Sequence, residues 1–319
     1  MDGLPELSPM MRELALSPAA CVAQRTLKSA ICCVGIGLHS GQRVNVVLRP
    51  AAAHSGIVFR RTDLGIDIPA RFDQVSDTRL CTVLASPDRP DARIGTVEHL
   101  MAALSACGIS NIGVELDGPE LPALDGSAAQ WVFLLDCAGS VEQQAPARVI
   151  EVLRTVRVQD GEAFAELRPG ASGALEMSMS IAFDAPAIGR QALSLAASGP
   201  VVRHELSDAR TFTLAHEVAG LQAAGLAQGG SLDNAIVVDG ARVLNPGGLR
   251  MTDEFVRHKM LDAVGDLAMA GAMLQGRFVG HRSGHTLNNR VLRALFADRS
   301  NWRDVAPQEQ AAAPVLQAA

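Results

Sequence analysis

Apolar side chains recur at helical spacing in two distant parts of the chain and predict a helix in each. Residues 96–107 carry apolar side chains on one face of such a helix, namely Val97, Leu100, Met101 and Leu104. Gly108 follows and is a typical helix end. Residues 253–273 form the second predicted helix, which we expect Gly276 to end.

The same order of elements follows each of these helices. After the first come a short strand (111–116), a Pro/Gly-rich loop and a helix (128–139) opened by Asp125-Gly-Ser127. After the second come a strand (277–279), the loop 283–285 and a last helix from Thr286. Further strands are predicted at 44–48, 81–84 and 175–183.

This repeat predicts an α+β protein made of two similar two-layer β/α sandwich domains. Each domain is a mainly antiparallel sheet covered by two helices, and the helices of both domains pack against each other at the interdomain seam. We place the domains at residues 23–145 and 146–305, because Pro and polar residues interrupt the pattern at 143–148. Residues 1–22 are an N-terminal extension, expected to be flexible, and residues 306–319 a C-terminal tail.

Composition excludes several classes of function. Hydrophobic residues make up 48% of the 319 residues, and the net charge is -6 without a Lys/Arg run, so nucleic acid is not an expected partner. No apolar stretch is long enough to cross a bilayer. The six cysteines include no CxxC pair, which is typical of reduced thiols. We therefore expect a cytoplasmic monomer without a transmembrane segment.

One stripe of the second predicted helix carries only ionisable groups, four residues apart: Glu254, His258, Asp262 and Asp266. His258 and Asp262 can bind one metal ion from a single helix face. A zinc site for hydrolysis needs a third protein ligand and one position open to water. His99 is the best candidate, because Glu98 beside it could deprotonate the water, as the Glu of HExxH enzymes does.

Each of these patterns also has a purely structural interpretation. A single HxxxD on a helix is more often a surface ion pair, but the corresponding positions of both helices favour a shared site. His285 is either a helix cap or an imidazolium that protonates a leaving group. In the second case Asp266 would orient its ring and hold it protonated. Glu254 is interpreted as a charge that complements the helix start.

Other motifs are excluded by their context. Residues 35–41 (GIGLHSG) superficially fit a dinucleotide-binding loop, but the strand-like residues 43–49 follow where a helix should begin. This segment is predicted to be a turn between strands. The sequence contains neither GxSxG nor GxxxxGK[ST], so a common serine hydrolase and a P-loop enzyme are poorly supported.

Seven motifs between residues 24 and 299 together resemble one family. They are QRTLK (24–28), GIGLHSG (35–41), TVEHL (96–100), PALDGS (122–127), ARTF (209–212), HKMLD (258–262) and SGHTLNN (283–289). In this order they resemble the UDP-3-O-acyl-N-acetylglucosamine deacetylases, zinc amidases that commit bacteria to lipid A synthesis. The duplicated two-layer fold of that family agrees with the repeat described above.

The resemblance implies a role for each matching position. His99, His258 and Asp262 would bind zinc, although His and Asp ligands also suit Fe²⁺. Glu98 would be the general base, His285 the general acid and Asp266 its partner. Thr211 would help to hold the oxyanion, Lys259 would contact the sugar, and Arg282 would lie near the diphosphate.

The resemblance also implies a passage for the acyl chain of a nucleotide-sugar lipid substrate. Its lining would include Phe212, Ala215, Val218, Ala227 and the apolar residues 235–238. By periodicity alone these residues would be ordinary core. No organic cofactor is expected.

Several alternatives stay open at this point. They include the acyl-chain length, the physiological metal, and whether Glu98 alone or Glu98 with His285 transfers the protons. Two other functions also fit the residues: a metal-dependent amidase for a small soluble substrate, and a nucleotide-sugar-binding regulator that keeps the fold without catalysis.

Overall fold

The structure is a computed structural model that describes residues 22–305. The predicted tail at 306–319, and all of the predicted extension except Val22, lie outside the described residues. The first half contains β1 (Ala23–Leu27), β2 (Ile31–Ile36), β3 (Arg43–Pro50), β4 (Ile57–Arg61), β5 (Ile66–Pro69), β6 (Val75–Asp77), β7 (Val83–Ala85), β8 (Arg93–Ile94), α1 (Glu98–Ala106), β9 (Ile112–Leu116), α2 (Ala129–Ala138) and β10 (Ser140–Pro146).

The second half continues with elements of the same kinds. It contains β11 (Val149–Val152), β12 (Val156–Asp160), β13 (Ala163–Arg168), β14 (Leu175–Ala182), β15 (Arg190–Ala196), α3 (Gly199–Glu205), β16 (Phe212–Leu214), α4 (Ala215–Ala223), β17 (Ile236–Asp239), β18 (Arg242–Val243), α5 (Glu254–Ala268), β19 (Met273–His281), α6 (His285–Ala297) and β20 (Trp302–Asp304).

A five-stranded sheet in the order β2-β3-β9-β4-β5 forms the first half. Its strand β3 alternates buried and exposed residues, so Val44, Val46 and Leu48 enter the core while Arg43 and Arg49 face outward. One covered face is the usual reason for such alternation. The central strand β9 pairs antiparallel with β3 and parallel with β4.

The second half repeats this arrangement around β19. This strand pairs antiparallel with β13, and parallel with β11 along Met273–Gln275 and with β14 along Gly276–His281. In both halves, the central strand follows the helix that carries the candidate ligands. The sequence-based prediction of an α+β fold with a duplicated plan is therefore confirmed.

The predicted end of the second long helix is wrong. Helix α5 ends at Ala268 and not near Gly276, because backbone turns at Met269, Ala270 and Gly271 stop it, and Gly271 has a φ of 70°. Gly276 lies inside β19, where a β-carbon would come within 2.7 Å of the Arg168 carbonyl oxygen. That glycine permits close strand packing and does not end a helix.

The two halves meet where α1 crosses α5, as expected. Gly265 of α5 lies at the crossing, and a β-carbon there would be 2.8 Å from the carbonyl carbon of Glu98 and still closer to its oxygen. Both helices are buried along most of their length. This close approach brings Glu98 and His99 against the stripe that contains His258 and Asp262.

Two small sheets bring further groups to the same place. In the sheet β6-β7-β8, the connection between β6 and β7 carries Cys81 and Thr82. In the sheet β16-β17-β18, strand β16 begins at Phe212 and runs parallel to β17.

The predicted turn at 35–41 does connect two strands, β2 and β3. None of the helices within residues 22–305 has the length and apolar character needed to cross a membrane. The five cysteines of the described part of the chain are free thiols.

Candidate metal centre and active site

Three buried side chains from the two crossing helices converge on one point. His99 Nε2 lies 3.5 Å from Asp262 Oδ1, and His258 Nε2 lies 3.3 Å from the same oxygen. One ligand atom from each of the three residues lies within 4.8 Å of the others. The imidazole rings of His99 and His258 stand edge to face, with centroids 5.0 Å apart. The predicted ligands therefore come together from the two halves.

The donor set fits a divalent metal ion. Asp262 Oδ1 is buried and has no hydrogen-bond partner among the described residues. His258 Nδ1 lies 3.0 Å from the Ala209 carbonyl oxygen, so this nitrogen carries the proton and leaves the Nε2 lone pair for a metal. Burial lowers the pKa of His258 to about 4, which keeps the ring neutral as a ligand must be. Two nitrogens and one oxygen suit zinc.

Lys259 completes the surroundings of Asp262. Its Nζ donates a hydrogen bond of 2.9 Å to Asp262 Oδ2, the carboxylate oxygen that is turned away from the two imidazoles. Burial alone would raise the pKa of Asp262, but its interactions with His258, Lys259 and His99 outweigh burial and hold that pKa well below its usual range. The carboxylate is therefore ionised, as a metal ligand must be.

Glu98 is a buried carboxylate beside this point. It is 3% exposed, and burial raises its pKa above the ordinary value. Its Oε2 accepts a 3.0 Å hydrogen bond from the Thr82 backbone N–H, while Oε1 lies 3.8 Å from His285 Nε2. A buried carboxylate with a raised pKa is suited to accept a proton from water.

His285 opens helix α6 and is held by a carboxylate on α5. Its Nδ1 lies 2.9 Å from Asp266 Oδ2, which also accepts a hydrogen bond from Asn288 Nδ2. Burial alone would lower the pKa of His285, but the charges of Asp266 and Glu98 outweigh it and raise the pKa to about 9. The imidazolium is therefore the stable form at neutral pH, and its Nε2 faces Glu98.

A cavity of about 460 Å³ opens over these groups. Most of the residues singled out from the sequence line it: Glu98, His99, Thr211, Phe212, His258, Lys259, Asp262, Arg282 and His285. A second cavity of about 620 Å³ adjoins it, since both are lined by Phe183, Leu214, Glu217, Lys259 and Arg282. Together the two cavities extend from the ionisable cluster to an apolar region at Ile181, Ala185 and Val238.

Three of the residues assigned to the acyl passage lie elsewhere. Ala215 and Val218 are on α4 and Ala227 is in the loop that follows it, and none of them lines either cavity. Phe212 does line the first cavity, and its ring packs edge to face on Phe183 and Phe255. The role of the first three residues stays a prediction.

Glu254 is the first residue of helix α5, at the helix start where the sequence placed its charge, and it also has partners that the sequence did not indicate. Its side chain is fully buried, and its Oε1 accepts hydrogen bonds from the Arg210 backbone N–H and from Arg210 Nε. Its Oε2 accepts one from the Arg250 backbone N–H. Glu254 therefore ties the segment before Thr211 to α5, close to the carbonyl of Ala209 that orients His258.

Sequence reasoning missed three groups at the site. Thr82 contacts both Glu98 and Asp266, yet a threonine within the predicted strand 81–84 carries no sign of such contacts. Asn288 lies three positions after His285, so helical spacing could have indicated that it shares a face with His285. His39 also lines the cavity, and neither of its ring nitrogens has a hydrogen-bond partner in the described part of the chain.

Comparison with known proteins shows the family of this chain. A profile of the family described as UDP-3-O-acyl N-acetylglycosamine deacetylase matches residues 24–297. A UDP-3-O-acyl-N-acetylglucosamine deacetylase of Actinobacillus pleuropneumoniae serotype 3 is 46% identical over 297 residues, which cover 92% of this chain and 96% of that protein. A protein of the same name from Phenylobacterium zucineum is 50% identical over 283 residues, 88% of this chain and 95% of the relative. The chain belongs to the UDP-3-O-acyl-N-acetylglucosamine deacetylase family.

Proposed function

We propose that this chain hydrolyses the N-acetyl group of UDP-3-O-acyl-N-acetylglucosamine, giving UDP-3-O-acyl-glucosamine and acetate in the committed step of lipid A biosynthesis. The proposed roles are supported by one observation. Three candidate metal-ligand atoms, a buried carboxylate and a buried imidazolium converge at one cavity. Such a set supplies everything that amide hydrolysis requires. The reaction needs no organic cofactor.

His99, His258 and Asp262 would hold a zinc ion, with Fe²⁺ as the alternative that the same donor set permits. A bound zinc ion polarises a carbonyl oxygen and can lower the pKa of water from about 15.7 to about 7. Lys259 would stay paired with Asp262 and would present its remaining N–H groups to the sugar.

The protein's own groups would transfer the protons. Glu98 accepts a proton from the attacking water as the new C–O bond forms, and the Thr211 hydroxyl donates a hydrogen bond to the developing oxyanion. His285 then donates its Nε2 proton to the sugar nitrogen as the C–N bond breaks. The products are acetate and a free 2-amino group, and Asp266 stabilises the imidazolium until that transfer.

The two adjoining cavities suit a substrate with a polar and an apolar part. Arg282 places a positive charge at the shared wall, where a diphosphate would be attracted, and Lys259 lies beside it for the sugar. Phe212 and Phe183 offer an apolar surface beside them. We also predict that the chain acts as a monomer in the cytoplasm.

The test of this proposal is the Glu98→Gln variant, which keeps the shape of the side chain and removes the base. We expect turnover of UDP-3-O-acyl-N-acetylglucosamine to fall by about two to four orders of magnitude, the usual contribution of a general base. The bound metal should be retained, because Glu98 is not one of the three convergent ligands. Glu142→Gln, on an exposed residue paired with Arg25, is the matched control.

A chelator arm tests the metal separately. Activity should disappear on chelation and return on addition of zinc or iron, and the metal that restores more activity identifies the better cofactor. Full turnover by Glu98→Gln would exclude Glu98 as the base. Full turnover by protein shown to be metal-free would exclude metal-assisted hydrolysis.

A further inference from the structure

Thr82 lies between the two carboxylates that the proposed reaction uses, and two of its three polar groups donate hydrogen bonds to them. Its hydroxyl donates to Asp266 Oδ1 at 2.6 Å, and its backbone N–H donates to Glu98 Oε2 at 3.0 Å. Its carbonyl oxygen accepts from the backbone N–H of Val97, the residue before Glu98, at 3.4 Å. The side chain is 1% exposed.

We propose that Thr82 is a positioning residue that fixes the relative orientation of the base Glu98 and the Asp266–His285 pair. This inference rests on the proposed roles of Glu98 and His285. Thr82 does not line the cavity over the ligands, whereas its neighbour Cys81 does. It would therefore act through the carboxylates and not through the substrate.

The hydroxyl of Thr82 restrains the Asp266 carboxylate. Asp266 Oδ2 serves both His285 Nδ1 and Asn288 Nδ2, each at 2.9 Å, so Oδ1 is left for Thr82. With partners on both oxygens, the carboxylate cannot rotate without breaking a hydrogen bond. The short O–H···O distance is typical of a donor to an ionised carboxylate. Thr82 therefore affects the orientation of the His285 ring indirectly, through Asp266.

The same residue fixes the other proton-handling group. Because the Thr82 N–H binds Glu98 Oε2, the free oxygen Oε1 is the one that faces His285 at 3.8 Å. Thr82 belongs to the connection between β6 and β7, while Glu98 and Asp266 belong to the two crossing helices of the separate halves. A movement of this connection would shift the proton acceptor and the proton donor together.

The experiment compares Thr82→Val, which removes the hydroxyl and keeps the backbone N–H, with Thr82→Ser, which keeps both. We expect Thr82→Val to lower kcat by about ten- to a hundredfold, the usual effect of removing an outer partner of an active-site group. KM and the bound metal should change little, and Thr82→Ser should restore most of the turnover. Thr26→Val, on another buried threonine with one hydrogen bond outside the site, controls for loss of a buried hydroxyl.

A double-mutant cycle separates positioning from a general structural role. If Thr82 acts through Asp266, Thr82→Val should have little further effect on kcat in an Asp266→Ala background. The same fold-loss in both backgrounds, or wild-type kcat for Thr82→Val, would overturn the inference. Full activity of Glu98→Gln and His285→Ala would instead overturn the proposed roles, so the two failures are distinguishable.

Discussion

At the scale of single residues, the pKa of each buried histidine at the site depends on the charged groups beside it. His285 would lose its proton easily if burial acted alone, yet Asp266 and Glu98 raise its pKa to about 9. His258, equally buried but without such a partner on its Nδ1, has its pKa lowered to about 4. Two histidines of one site are thereby suited to opposite tasks, a proton donor and a neutral ligand.

Asp266 should control the pH dependence of activity through the pKa of His285. In its proposed role His285 acts in its protonated form, so activity should be present below its pKa and be lost as the pH rises through it. Asp266→Asn removes a charge that raises this pKa, and the alkaline limb of kcat/KM should therefore move to lower pH by about 1–3 units. A pH profile of kcat/KM measures the shift. Asp136→Asn, on a residue paired with Arg203, should leave the limb in place.

An unchanged alkaline limb in Asp266→Asn, with reduced activity at every pH, would contradict this prediction. It would mean that Asp266 orients the His285 ring without controlling its charge. The pH profile thus separates the two effects that one carboxylate can have on an imidazole.

Single residues also show why the sequence could indicate some site groups and not others. His258 and Asp262 could be predicted because four-residue spacing on one helix fixes which side chains are neighbours. Thr82 could not, because its partners come from two other elements that only the tertiary fold brings near. The partners of Glu254 could not be predicted for the same reason, since Arg210 and Arg250 precede the helix in a segment without periodicity.

At the scale of elements, the crossing of α1 and α5 is what assembles the site. Gly265 permits it, since a β-carbon there would meet the backbone of Glu98. Backbone atoms cannot rotate away as a flexible side chain can. The spacing of the helices, and with it the distance between His99 and Asp262, is therefore set by the absence of a side chain at one position.

The prediction at this scale is that Gly265→Ala forces the two helices apart. We expect the free energy of unfolding to fall by about 1–3 kcal/mol, as for other overpacked cores. Metal affinity should fall too, because the ligands are divided between the two helices. Thermal or urea denaturation and a metal titration measure the two effects.

Gly220→Ala is the matched control, because Gly220 is inside helix α4 with open space around it. There the same change should raise stability by up to about 1 kcal/mol through helix propensity. Wild-type metal affinity and stability in Gly265→Ala would show that the crossing tolerates a methyl group.

Element boundaries were harder to predict than element types. The apolar run after Ala268 continues through Met269 and Leu274 at a spacing that a helix also allows, so the sequence did not distinguish the end of α5 from the start of β19. The structure resolves this by pairing β19 with β11, β13 and β14, and these partners are remote in sequence. Tertiary pairing thus overrode the local pattern.

At the scale of the whole molecule, the repeat visible in the sequence explains why the candidate ligands come from both halves. Each half places a helix before its central strand, and packing these equivalent helices together brings His99 next to His258 and Asp262. The repeat and the convergence of these three side chains could be predicted together. The cavity shape could not, because Ala215 and Val218 lie on an element whose placement no periodicity specifies.

A metal ion that binds ligands from both halves should stabilise them as one unit. Binding to the folded state alone adds about 2.7 kcal/mol when the free ion is at a hundred times its Kd. The metal-loaded protein should therefore unfold at a higher temperature than the chelated protein, and His99→Ala and His258→Ala should both abolish the difference although they lie in different halves. Calorimetry with matched metal analysis measures this. Glu98→Gln should keep the full difference, and a metal-dependent rise in Tm that survives in His258→Ala would show that His258 is not needed to hold the ion.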